Sequence, residues 1–106
     1  MSRQGDGHII NVLSSACLHS YETFAVYTAV KCGLQALTRV LAKELRHKGV
    51  RVTALIPGGT DSRTPPDQDT PYLRPAEVGE LIADIAASRR AVLQEVVVRT
   101  LGDERI

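Results

Sequence analysis

Tyr27 and Lys31 stand four residues apart in the run Tyr27-Thr28-Ala29-Val30-Lys31. On a helix that spacing places both side chains on one face, about one turn apart. A free tyrosine has a pKa of about 10 and is a poor base at neutral pH, but an ammonium held nearby favours the phenolate. Such a pair can move a proton to or from a substrate oxygen. Ser14 lies thirteen residues before Tyr27, just past an apolar run. A hydroxyl at the carboxyl end of a parallel strand sits where α/β folds place their ligands, and could hydrogen-bond the same substrate oxygen. Taken alone the signal is weak, because Tyr and Lys at this spacing are common on solvated helix faces.

The elements that must position these groups are legible from periodicity. His8-Ile9-Ile10-Asn11-Val12-Leu13 is a short apolar run, read as a strand over 8–13 buried on both faces. Residues 14–23 are polar and irregular and read as a loop. Val30, Leu34, Leu37, Leu41 and Leu45 recur at spacings of three and four, predicting a helix over 25–48 with these residues on its inner face. Gly49 is the natural stop. Val50 to Ile56 reads as a second buried strand, ended by Pro57-Gly58-Gly59. Residues 60–72, with Pro65, Pro66, Pro71, Asp61, Asp67 and Asp69, read as a long loop of the kind that often forms a lid. Pro75 and Glu77 open a helix over 75–88, and Glu95 to Arg99 is a third strand. This alternation implies one α/β domain with parallel strands and helical crossovers.

Bulk properties narrow the function classes. The 106 residues are 43% hydrophobic and 24% charged, with a net charge of +1. That balance suits a soluble globular chain and favours neither nucleic acid nor an acidic membrane as partner. No apolar run approaches the roughly 20 residues that a membrane helix needs. Cys17 and Cys32 form no zinc spacing, and His8, His19 and His47 are scattered, so no metal site is expected. Two unpatterned cysteines suggest a reducing, cytoplasmic setting.

In order and spacing, Ile9 to Ser15, Tyr27 to Lys31, Leu41-Ala42-Lys43-Glu44-Leu45 and Val50 to Gly58 resemble the short-chain dehydrogenase/reductase family, from about Gly7 to Arg99. The resemblance implies a partial Rossmann-like, doubly wound α/β fold. It makes Tyr27 the acid/base of hydride transfer between NAD or NADP and an alcohol or carbonyl substrate. Lys31 assists Tyr27 and binds the nicotinamide ribose, and Ser14 orients the substrate. Ser15 is the rival serine, because Leu13 stands where many relatives have the first of two serines; the spacing to Tyr27 favours Ser14. Pro57-Gly58-Gly59-Thr60-Asp61-Ser62 resembles the segment that lies against the nicotinamide, which adds Pro57, Gly58 and Ser62 to Tyr27 and Lys31 as cofactor contacts. Asn11 reads as a strand residue that supports the fold. Cys17 replaces a glycine common in relatives. The stretch from Leu73 to Arg99 resembles the tail of reductases acting on small hydroxy acids or similar carbonyl compounds.

The family's glycine-rich dinucleotide turn has no counterpart here: Gly5 and Gly7 precede a strand instead of following one. The expectation is therefore the C-terminal portion of one NAD(P)-binding domain, lacking the half that binds most of the cofactor. By that reading the complete form is a homo-oligomeric oxidoreductase acting on a small molecule, and the isolated chain is inactive. The alternative is a catalytically inactive remnant that serves as an interaction or dimerisation module through the long helix.

Overall fold

The computed structural model describes residues 1–63 and 67–103. Three strands form one sheet in the order β1 (Gly7–Val12), β2 (Val50–Pro57), β3 (Glu95–Val98), and both pairings are parallel. Between β1 and β2 run a four-residue helix α1 (Ala16–His19) and the long helix α2 (Ala25–Leu45). A 3₁₀ turn over Arg46–Lys48 follows, and Gly49 closes it at φ 73°, a conformation that only glycine adopts freely. Between β2 and β3 lies α3 (Pro75–Ala87). Pro75 starts it, where a missing N–H costs nothing, and the Glu77 carboxylate accepts the Arg74 N–H at 2.9 Å.

Side chains alternate across a strand, so Val52, Ala54 and Ile56 face one side of the sheet and Arg51, Thr53 and Leu55 the other. Helix α2 covers the first side, where Leu34 packs on Leu13, Ala54 and Ile56. On the second side the Arg51 guanidinium reaches the Ser88 carbonyl at the end of α3. The sheet is thus sandwiched by one helix on each face, the doubly wound arrangement that the resemblance implies.

Three expectations need correction. Strand β1 is not buried on both faces: none of its residues is fully buried and Val12 is 40% exposed, because β1 is an edge strand with a neighbour on one side only. Residues 14–23 are not wholly irregular, since α1 occupies four of them. Helix α2 is also turned from its predicted setting. Val30 and Leu37 are 63% and 52% exposed, whereas Gln35 and Thr38 are buried. The polar pair is affordable inside because Thr38 Oγ1 accepts the Asn11 amide at 2.9 Å and donates to the Leu34 carbonyl at 2.7 Å. Asn11 therefore ties strand to helix, as its reading as a fold residue anticipates.

Of the proposed lid, Pro65 and Pro66 lie outside the described residues. The described part is tethered: Thr60 bridges to Leu73, the Asp61 N–H donates to the Leu73 carbonyl at 2.8 Å, and Arg63 pairs with Asp61 and Asp67. The guanidinium of Arg63 holds the Asp61 carboxyl below the usual carboxylate range.

Candidate active site

A cleft of about 530 Å³ opens beyond the carboxyl ends of β1 and β2. Its floor is Leu13 to Ala16, one wall is Tyr21, Phe24 and Tyr27, and the other is Pro57 to Thr60. Parallel pairing brings the two strand ends together: the Leu13 N–H donates to the Leu55 carbonyl at 2.7 Å and the Ser15 N–H to the Pro57 carbonyl at 3.2 Å. A larger groove of about 790 Å³ lies between the C-terminal half of α2 and the start of β3, lined by none of the residues expected to do chemistry.

Ser14 and Tyr27 both line the cleft. The Ser14 Oγ accepts the Ala16 N–H at 3.2 Å, which leaves its proton to point elsewhere. Ser15 is buried at 4% exposure, with its Oγ 3.5 Å from the Tyr21 hydroxyl. Tyr27 is 46% exposed at the first turn of α2. The Lys31 ammonium stands 5.7 Å from the centroid of the Tyr27 ring, over its face. Lys31 is beside the cleft and not in its lining.

The glycine turn after β2 is held from three directions. The Gly58 N–H donates to the Val98 carbonyl at 2.7 Å, the Gly59 N–H to the Asp103 carboxylate at 2.9 Å, and the Gly59 carbonyl accepts the Leu73 N–H at 2.8 Å. Pro57 and Gly58 line the cleft. Ser62 does not. The bridge from Thr60 to Leu73 turns the chain away before residue 62, and Thr60 supplies the hydroxyl in the lining instead.

Other members of the site escaped sequence reading. His19, Tyr21, Phe24 and Tyr27 form a ladder of rings with successive centroids 5.9, 6.3 and 5.9 Å apart. Tyr21, Phe24 and Tyr27 recur every three residues, which was the available signal. The turn that starts the ladder holds Ser20 and Thr23 at φ 52° and 67°, a region that non-glycine residues rarely occupy. Asp103, 2% exposed beneath the glycine turn, carried no sequence signal at all.

The lining presents hydroxyls from Ser14, Tyr27 and Thr60 and backbone from a glycine turn, with an ammonium alongside. That donor set fits a nicotinamide, its ribose and an oxygen-bearing substrate. Among the described residues, the Gly58–Gly59 turn after β2 leads into a further stretch of loop and not directly into a helix N-terminus.

Residues 1–71 match the family model of the short chain dehydrogenases. The chain belongs to that family. An uncharacterised oxidoreductase of Staphylococcus epidermidis is 41% identical over 70 residues, 66% of this chain and 30% of that protein. One from Staphylococcus aureus is 30% identical over 103 residues, 93% of this chain and 45% of its own length. Among solved structures, the closed form of a serine dehydrogenase complexed with NADP+ superposes with a TM-score of 0.86 at 24% identity, over 98% of this chain and 48% of that one. The chain thus spans half or less of the length of these relatives. No helix among its described residues is long and apolar enough to cross a membrane.

Proposed function

We propose that this chain is the C-terminal, catalytic portion of a nicotinamide-dependent oxidoreductase, with Tyr27 as the acid/base. The supporting observation is the convergence of Ser14, Tyr27 and the Pro57–Gly58 turn on one cleft, with Lys31 over the Tyr27 ring. Pro57, Gly58 and Lys31 would hold NAD or NADP, which when bound would supply or accept the hydride. Ser14, its oxygen already engaged by the Ala16 N–H, donates its proton to the substrate oxygen and fixes its place. Tyr27 gives its proton to a carbonyl oxygen as the alcohol forms, or takes it from an alcohol in the reverse direction. Lys31 contributes positive charge beside Tyr27 once that proton has gone, and its ammonium would donate to the ribose hydroxyls of a bound cofactor.

Alcohols and carbonyl compounds of small size suit the cleft volume. A cytoplasmic setting fits the two free thiols. The test uses a version extended upstream by the family's glycine-rich half. Its oxidation of NADH or NADPH with carbonyl substrates should fall by about 10²- to 10⁴-fold on Tyr27→Phe; unchanged turnover would remove the assignment. The 106-residue chain by itself should turn over neither cofactor at a useful rate, because hydride transfer needs both partners fixed to about half an ångström, and a fluorescence titration should show no micromolar binding. Micromolar binding by the short chain would overturn that part.

A second reading rests on α2. Val26, Val30, Leu37 and Val40 are all more than half exposed and share an apolar stripe. By this reading the chain is an interaction module that pairs through α2, and analytical ultracentrifugation of the chain and of Val30→Ser tests it: a dimer abolished by the substitution supports it.

A further inference from the structure

The chain's only two cysteines meet beside the cleft. Cys17 sits on α1, directly after the Ser14–Ser15 floor, and Cys32 follows Lys31 on α2. Both thiols are free and half-buried. The Cys32 Sγ lies 4.0 Å from the Cys17 carbonyl oxygen, and the Cys32 side chain is near enough to raise the pKa of the Cys17 thiol. Helices α1 and α2 pack on each other, so the fold itself makes the two cysteines neighbours.

We propose that Cys17 and Cys32 form a reversible dithiol site, closed to an intramolecular disulfide by a low-molecular-weight disulfide acting as oxidant. Their roles are unequal. Burial, and then the neighbouring Cys32 side chain, push the Cys17 thiol up to about 11, so Cys17 keeps its proton at neutral pH. Cys32 is therefore the first nucleophile. Its thiolate attacks one sulfur of the oxidant R–S–S–R, forming a mixed disulfide and releasing one RS⁻, which is protonated. Cys17 then loses its proton and attacks the Cys32 sulfur, expelling the second RS⁻. Two protein thiols have lost two electrons and two protons, and the small disulfide has become two thiols.

The crosslink closes a ring from residue 17 to residue 32 that contains Tyr21, Phe24, Tyr27 and Lys31. It ties the Ser14 floor to the helix carrying Tyr27 and fixes the turn in which Ser20 and Thr23 hold positive φ. A disulfide across a loop of this length constrains the unfolded chain, so the oxidised form should melt higher than the reduced one.

The test exposes the purified 106-residue chain to oxidised glutathione, alkylates the remaining thiols and reads intact mass and a non-reducing peptide map. The expected result is one monomeric species lighter by two hydrogens, with a single peptide joining Cys17 to Cys32, reversed by dithiothreitol. Cys17→Ser should stop at a glutathione adduct on Cys32, and Cys32→Ser should leave Cys17 unmodified. Closure should be slower in urea than in buffer, because the fold places the sulfurs. Persistent adducts on the unsubstituted chain, disulfides between chains, or equal rates in urea and buffer would overturn the proposal. None of these readouts depends on catalysis, so failure of the oxidoreductase assignment would leave them unchanged.

Discussion

Strands β1 and β2 lie side by side in parallel, Ile9 beside Val52 and Val12 beside Leu55, and both are rich in β-branched and apolar residues. Every residue of β2 except Arg51 is buried, and none of β1 is. The difference comes from neighbours. β2 has a strand on each edge and α2 across one face; β1 has a strand on one edge only. A sheet of three strands has one interior strand, and composition does not say which it is. The two strands nonetheless end at the same cleft, so the site hangs from one firmly held strand and one held more loosely.

That contrast can be broken by substitution. The largest effect is expected at Ile56, fully buried on β2 against Leu34: Ile56→Ala should destabilise by about 2–5 kcal/mol in urea unfolding. On β1 the strongest anchor is polar. Asn11→Ala removes the amide that donates to Thr38 and should cost about 0.5–1.5 kcal/mol. An Asn11 cost equal to that of Ile56 would mean that β1 is held as tightly as β2.

His8 sharpens the comparison through pH. It bonds Thr53 across the two strands at 2.8 Å, and burial, followed by the charge of Arg51, holds its pKa below the ordinary value. As pH falls through about 6.5 the unfolded chain takes up a proton that the folded chain resists, so stability present at neutral pH is lost on acidification. Thermal melts should show this loss, and His8→Gln should flatten it. A melting temperature that rises on acidification would contradict the sign. The smallest effect is expected at Val12, 40% exposed at the end of β1: Val12→Ser should stay within about 0.5 kcal/mol.

The element order, the parallel pairing and the meeting of Ser14, Tyr27, Pro57 and Gly58 were legible in the sequence because each rests on local signals. Helical period, an abrupt Pro-Gly stop and a fixed spacing from serine to tyrosine are written in consecutive residues. What sequence reading misplaced depends on partners distant along the chain. Leu37 and Thr38 are adjacent on α2, and only the presence of Asn11 on β1 makes the threonine the inward one. Ser62 continues a motif in sequence, but the pairing of Thr60 with Leu73 leads the backbone off before it arrives. The aromatic ladder was visible as spacing, yet its meaning required the left-handed turns at Ser20 and Thr23.

Asp103 donates nothing to the cleft, yet it holds the Gly59 amide from 44 positions further along the chain. A ribosome delivers residues in order, so Ser14, Tyr27 and the glycine turn are all made well before the carboxylate that fastens that turn. During synthesis the site would exist for a time with one wall unpinned, and it would be finished only when Asp103 emerged. Truncations that spare every residue of the cleft but remove Asp103 should therefore leave a nascent, unfinished form in place of the mature one.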